Sequence, residues 1–108
     1  MASRVRVAAP AAEELERAVA YIAVMLREPS AATVLADEFE EKLDVLSSNP
    51  CLYAPVLDMS DAVGVEVRRC HVKGYAMWFT IDDTERIVDV IAFLHGRQDT
   101  LRHLGWRF

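Results

Sequence analysis

Cysteine, glycine and long apolar stretches are scarce in this chain of 108 residues. Its two cysteines, Cys51 and Cys70, are too few for the disulfide framework that stabilises small secreted domains. The three histidines do not cluster with cysteine at metal-binding spacing, so we predict neither a metal site nor any other cofactor. No run of ~18 apolar residues occurs, which excludes a transmembrane helix, and residues 1–7 lack the apolar core of a signal peptide. We therefore expect a cytoplasmic protein with no membrane partner.

Basic residues are also outnumbered, since 12 Lys and Arg face 17 Asp and Glu, for a net charge of −5. Residues 1–61 hold 5 basic and 11 acidic side chains, a balance of −6, whereas residues 62–108 hold 7 and 6, a balance of +1. This distribution argues against general nucleic-acid binding, which depends on neutralising phosphates. Hydrophobic residues make up 53% of the chain, and the length suits one domain over residues 1–108.

Two amphipathic helices are predicted in the acidic half. Residues 4–8 alternate polar and apolar side chains, as in a half-buried strand, and Pro10 then suits a first helical turn. Glu13 and Glu14 are placed near the positive end of that helix. Ser30 is the predicted N-cap of the second helix, and so short a connection favours an antiparallel hairpin. The apolar stripes of the two helices comprise Leu15, Ala18, Val19, Ile22, Met25 and Leu26, and then Leu35, Phe39, Leu43 and Leu46.

Three strands are predicted in the second half, over residues 65–72, 75–81 and 87–94. Residues 51–64 show no periodicity and are expected to form a loop of about a dozen residues. Lys73 and Gly74 suit a tight hairpin turn, and the last strand is almost continuously apolar, which is typical of a central strand. The order strand–helix–helix–strand–strand–strand predicts an α+β fold, in which the helical hairpin packs on a mostly antiparallel, twisted sheet.

Three motifs on these strands resemble a known family. Arg68 precedes Tyr75 by seven residues, apolar residues follow the tyrosine, and the last strand ends in His95-Gly96-Arg97-Gln98-Asp99. In this order, and behind a helical hairpin, they resemble the RelE/ParE superfamily of bacterial toxins from type II toxin–antitoxin (plasmid stabilisation) modules. The resemblance covers nearly the whole chain, and the strand ending and long hairpin look more like the ParE branch. Phe79 stands where a second tyrosine is common in the family.

The resemblance implies a growth-arresting toxin that a cognate antitoxin holds inactive, in a homodimer or a toxin–antitoxin hetero-oligomer. ParE-like members poison DNA gyrase without nuclease residues, whereas RelE-like members cut mRNA on the ribosome. We favour gyrase as the target because of the strand ending and the acidic net charge, and we keep ribosome-bound mRNA as the alternative. A third alternative, suggested by Phe79, is a degenerate toxin that only binds its antitoxin.

A nuclease would need a candidate catalytic set. Metal-free RNA cleavage requires a base for the 2′-hydroxyl proton, a cation for the developing phosphorane charge and an acid for the leaving oxygen. The resemblance assigns cationic roles to Arg68 and Arg97, and the imidazole of His95 can act as acid or base near neutral pH. We therefore name Arg68, His95 and Arg97 as the catalytic candidates in that case.

Four further residues are candidates for binding the target or a phosphate, namely Arg69, His71, Lys73 and Tyr75. Each also has an ordinary structural explanation. Tyr75, at the start of an apolar strand, is more often a packed aromatic whose hydroxyl finds one partner. Arg68 and Arg69 point to opposite faces of their strand, and either can simply pair with a nearby carboxylate such as Glu66.

Two apolar surfaces are expected to be covered, one by the antitoxin and one by the protein's own sheet. The helical hairpin and the sheet should leave an apolar groove, in which a disordered antitoxin segment folds as it binds. That segment should be acidic near the basic strand and basic near Glu38 and Glu41. Residues 99–108 are expected to form a short helical turn, with Trp106 and Phe108 tucked under the sheet because large rings gain most from burial.

Overall fold

The computed structural model describes residues 3–96 and 98–108. Its elements are, in chain order, β1 (Arg4–Val7), α1 (Ala9–Ala20), a π-helical turn (Tyr21–Met25), α2 (Pro29–Ser48), a 3-10 turn (Pro50–Leu52), α3 (Leu57–Val63), β2 (Arg68–Val72), β3 (Tyr75–Asp82), β4 (Ile87–His95) and α4 (Thr100–Leu104). The predicted α+β class and the order of the predicted elements are confirmed. Within the described residues, no helix is long and apolar enough to cross a membrane.

The four strands form one mixed sheet in the order β1-β4-β3-β2. β1 runs parallel to β4, whereas β3 pairs antiparallel with both β4 and β2. β4 is therefore internal, and residues 90–94 are buried, which confirms the prediction of a central strand. β2 begins at Arg68 rather than at residue 65, because the backbone of Val67 bonds to Ser60 and Val56 instead of to β3.

The hairpin of α1 and α2 covers one face of the sheet. The predicted stripe of α2 is confirmed, since its apolar residues pack on that face. The stripe of α1 is confirmed only as far as Ile22, and the prediction is wrong for Met25 and Leu26, which are exposed. In the π-helical turn the N–H of Leu26 bonds to the carbonyl of Tyr21, five residues earlier, and this wider turn rotates the following side chains away from the sheet. The buried members of this first core are Ala11, Ala18, Leu35, Phe39, Leu46, Cys70, Val72, Met77, Phe79, Val88, Val90 and Phe93.

The prediction of Ser30 as the N-cap of α2 is wrong. The helix begins at Pro29, and Glu28 occupies the capping position without a side-chain bond to the helix. Pro29 fits the first helical position because its missing N–H has no partner to lose there. Arg27, with φ of 53°, makes the sharp turn that joins the two helices.

The second face of the sheet is covered by α3 and α4. The prediction of a loop over residues 51–64 is therefore wrong for most of its length. The sequence did not predict α3 because a helix of seven residues is too short to produce a clear apolar period. Gly64, with φ of 79°, ends α3 in a left-handed conformation. The buried residues of this second core are Val67, Ala76, Trp78, Ile91, Ala92, Leu94 and Leu104.

The helical turn predicted near the C-terminus is confirmed as α4, but the expected burial of the last aromatics is wrong. Trp106 is 87% exposed, and Phe108 is exposed as well. Leu104, rather than either ring, is the residue of this segment that packs in the second core.

Candidate functional site

Tyr75 and His95 meet where the β3–β4 pair ends, because the two residues are register partners. Their ring centroids are 5.2 Å apart with the planes at 85°, and the Tyr75 ring stacks on Phe93 with centroids 5.0 Å apart. We call these three residues the aromatic cluster. Burial of the ring, with a smaller contribution from Tyr21, raises the pKa of the Tyr75 hydroxyl. The hydroxyl is therefore protonated at neutral pH and can donate a hydrogen bond but not act as a base.

A cleft of about 290 Å³ opens beside the aromatic cluster, between α1 and the C-terminal segment. Two arginines line it, and each contacts a carboxylate: Arg17 lies 3.9 Å from Glu13, and Arg107 lies 2.9 Å from Glu14. The formal charges of these four side chains cancel. The described lining therefore has no excess positive charge for holding a phosphate. The remaining lining residues are Pro10, Ala18, Tyr75, Phe93, His95, Gln98 and His103.

The Glu14–Arg107 ion pair is the strongest polar contact of this region. Two nitrogens of Arg107 donate to the two carboxylate oxygens of Glu14, at 2.9 and 3.0 Å. The side chains are only 11% and 16% exposed, for Glu14 and Arg107 respectively. Such a two-point contact between planar groups fixes both side chains and ties the C-terminal segment to α1.

This ion pair also completes the free edge of β4. β1 ends at Val7, opposite Val90, so beyond that point the β4 backbone has no strand on the side opposite β3. The carbonyl of Ile91 accepts a hydrogen bond from the guanidinium at 2.8 Å, and the N–H of Phe93 donates to the carboxylate at 3.1 Å. Two backbone groups that would otherwise lack partners are thereby satisfied.

Arg68 lies far from the aromatic cluster. Its guanidinium donates to the carbonyl of Tyr53 at 2.7 Å and to the carboxylate of Glu66 at 3.1 Å, and its side chain is 15% exposed. Val72, not Arg68, is the register partner of Tyr75. Four residues of strand separate the two positions on β2, a distance of about 13 Å. Arg68 therefore lies at the other end of the β2–β3 pair from Tyr75, and its guanidinium is bound to Tyr53 and Glu66.

The other predicted cations are spread over two locations. Arg69 and His71 are exposed on the second face, where the Arg69 guanidinium lies 5.3 Å from the centroid of the Trp78 ring. Lys73 lies in the β2–β3 turn, and its amine is 3.5 Å from the Glu38 carboxylate. The hairpin turn thus brings Lys73 next to Glu38, although the two were expected to face antitoxin groups of opposite charge.

Arg97, the third catalytic candidate, lies outside the described residues. Its role, like those of Arg68 and His95, stays a prediction. Among the described residues, no cluster of His, Cys, Asp and Glu could hold a metal ion.

Sequence reasoning did not identify Glu14 and Arg107 as partners. Glu14 lies beyond the first turn of α1, so the helix-dipole explanation accounts poorly for it. The two residues are 93 positions apart, and a single sequence contains no local signal for such a pair. The one available hint is that Glu14 precedes Leu15, at the margin of the apolar stripe.

A helical hairpin on one face of a small mixed sheet, with a basic edge strand and a His-Gly-containing end to the central strand, defines a RelE/ParE-like toxin fold. The family model described as "ParE toxin of type II toxin-antitoxin system, parDE" matches residues 5–100. The chain therefore belongs to the ParE toxin family, and it is the toxin component of a type II module with a cognate antitoxin as its partner. No curated protein matches the chain significantly.

Proposed function

We propose that this toxin arrests bacterial growth by binding and inhibiting DNA gyrase, with no nuclease activity of its own. The position of Arg68 carries the proposal: it lies about 13 Å along β2 from the residue that faces Tyr75, and its guanidinium is bound to Tyr53 and Glu66. Metal-free RNA cleavage needs its cation and its acid or base at one phosphate. The balanced charges of the cleft and the net charge of −5 also favour a protein target over RNA. Membership of the ParE family supports the same conclusion.

Purified toxin should block supercoiling by gyrase or trap gyrase on cleaved DNA, and addition of the antitoxin should reverse the effect. The matched assay is translation of a reporter mRNA on purified ribosomes. Intact mRNA together with blocked supercoiling would support the proposal. Cleaved mRNA with unaffected gyrase would reverse it.

The alternative target is mRNA on the ribosome, and one observation favours it. The protonated hydroxyl of Tyr75 lies beside His95 and could donate a proton to a leaving oxygen. Tyr75→Phe removes that hydroxyl and keeps the stacked ring. Full toxicity of Tyr75→Phe is expected for gyrase inhibition, whereas a loss of 100-fold or more, roughly the contribution of one general acid, would favour the nuclease.

Phe79 no longer supports the third alternative, a degenerate toxin. Phe79 is fully buried in the first core, and its ring packs edge-on against Tyr53 with centroids 6.3 Å apart. A hydroxyl at that position would need a partner inside the core, so phenylalanine is accounted for by packing. Growth arrest on expression without antitoxin remains the direct test.

We further propose that the antitoxin covers a groove beside the turn that connects the two helices of the hairpin. This hairpin groove, of about 390 Å³, is lined by Ile22, Leu26, Glu28, Ala31, Val34, Leu35 and Lys73. The adjoining Val24 and Met25 are both exposed, and contiguous exposed apolar side chains are typical of interaction surfaces. Val34→Glu should weaken antitoxin binding at least about 10-fold, while Leu52→Glu, at another exposed apolar position, should not. Equal binding by both variants would exclude this groove.

A further inference from the structure

The C-terminal surface presents aromatic side chains to solvent, where packing within the protein does not account for them. We define it by Leu101, Arg102, Trp106 and Phe108, all of which are exposed. Trp106, at 87%, has the largest exposed fraction among the large hydrophobic residues of the described chain. An indole ring so fully in water forgoes most of the stabilisation that burial would provide.

This exposure does not come from a frayed chain end. Arg107, which lies between the two aromatic residues, is held by the ion pair with Glu14, and its backbone N–H donates to the carbonyl of Leu104 at 2.9 Å. Leu104 is itself fully buried, and Asp99 caps α4 through the backbone N–H of Arg102. The backbone that carries Trp106 is therefore fixed at both ends. A ring that is already positioned loses little conformational freedom when a partner covers it.

The charge of this surface favours a protein partner over a nucleic acid. Arg102 is exposed, and it makes no ion pair with any described residue. The other arginine of the segment, Arg107, is already neutralised by Glu14. Binding of a nucleic-acid strand relies on several cations that follow the phosphates, and the described residues of this surface offer one, Arg102. One cation beside exposed aromatics instead suits an apolar pocket that is bordered by a carboxylate on a protein.

The C-terminal surface and the hairpin groove lie at different positions along the first arm of the hairpin. The segment is anchored at Glu14, whereas the groove begins at Ile22, eight residues further on and about 12 Å along the helix. The two surfaces can therefore take different partners.

We propose that the C-terminal surface is the part of the toxin that docks on its protein target, with Trp106 inserted into an apolar pocket and Arg102 paired with a carboxylate at the rim of that pocket. The inference rests on the proposed function, so the target protein is gyrase. Docking through one buried tryptophan beside a charged residue is the usual composition of an interface hot spot.

Full-length Trp106→Ala tests this inference in four assays, namely gyrase supercoiling, antitoxin binding, binding of a single-stranded DNA oligonucleotide and urea unfolding. We expect inhibition of gyrase to require at least about 10-fold more protein, with antitoxin affinity and stability unchanged. Arg102→Glu should weaken inhibition in the same way, whereas Arg102→Lys should largely keep it. Leu52→Ala, a second exposed apolar residue, is the matched control and should behave as wild type.

The outcomes separate the two proposals. A wild-type protein that leaves gyrase untouched would overturn the proposed function and this contact with it. Wild-type inhibition that Trp106→Ala and Arg102→Glu both retain would overturn the contact alone. Loss of antitoxin binding in Trp106→Ala would assign the surface to the antitoxin, and loss of binding to a single-stranded DNA oligonucleotide, with inhibition of gyrase unchanged, would assign it to nucleic acid.

Discussion

Replacing Glu14 by alanine should destabilise the protein more than any single change on its surface. The carboxylate holds the guanidinium of Arg107 at two points and accepts the N–H of Phe93. Without it, a cation that is only 16% exposed loses its counter-charge, and the edge of β4 loses a backbone partner. Both losses raise the free energy of the folded state alone, because water solvates these groups in the unfolded chain of wild type and variant.

The magnitude follows from these contacts. Removing one member of a buried ion pair destabilises a protein by about 3–5 kcal/mol, and a stranded backbone N–H by about 1–3 kcal/mol. The adjacent cleft admits water, so the two losses should not add fully. We expect a total of about 3–5 kcal/mol, which is a large fraction of the stability of an ordinary domain. The melting temperature should fall by roughly 12–20 °C, at about 4 °C per kcal/mol.

Urea unfolding measures this loss directly. Trp78 is buried in the second core, so its fluorescence reports unfolding if the exposed Trp106 is first replaced by phenylalanine. Glu13→Ala is the matched control, because Glu13 makes an exposed contact of 3.9 Å with Arg17 and should contribute less than about 0.5 kcal/mol. A loss of less than about 1 kcal/mol for Glu14→Ala would refute the view that this pair anchors the C-terminal segment.

Three further predictions concern pH, backbone strain and association. Burial raises the pKa of the Cys70 thiol to about 11 from 9.0, so the unfolded chain loses this proton first and stability falls as the pH rises between these values. Wild type should lose up to about 2.7 kcal/mol more than Cys70→Ala over that window, and equal pH slopes in urea unfolding would contradict this. Gly74→Ala should destabilise the protein by about 1–2 kcal/mol because φ is 82° there. Gly96→Ala should have little effect, because its new Cβ would lie at an ordinary 3.7 Å from the carbonyl oxygen of Gly74. A melting temperature unchanged in both variants would contradict the strain argument. Arg69→Glu should slow antitoxin association and make the association rate less sensitive to salt. Arg4→Glu, on the opposite edge strand, should change neither. Identical association rates for the two variants in stopped-flow binding would place Arg69 outside the antitoxin interface.

Local patterns determined the elements of this protein. The spacing of Leu35, Phe39 and Leu46 was sufficient to identify α2, and the continuous apolar run identified β4 as the central strand. Lys73 and Gly74 identified the hairpin turn, where both residues have positive φ. These signals were reliable because each depends on residues a few positions apart, where a side-chain period or a preferred φ acts directly. The ordered motifs around Arg68, Tyr75 and His95 also identified the family, which the match over residues 5–100 confirms.

Only the tertiary structure decided which side chains meet. Arg68 and Tyr75 are seven residues apart in sequence, yet the antiparallel turn between them puts them at opposite ends of the β2–β3 pair. Glu14 and Arg107 are 93 positions apart, yet they share two hydrogen bonds. The outward position of Trp106 is likewise a tertiary feature, since Leu104 and not Trp106 packs in the second core. Distances of this kind depend on how strands and helices are connected and packed, and no local period encodes that arrangement.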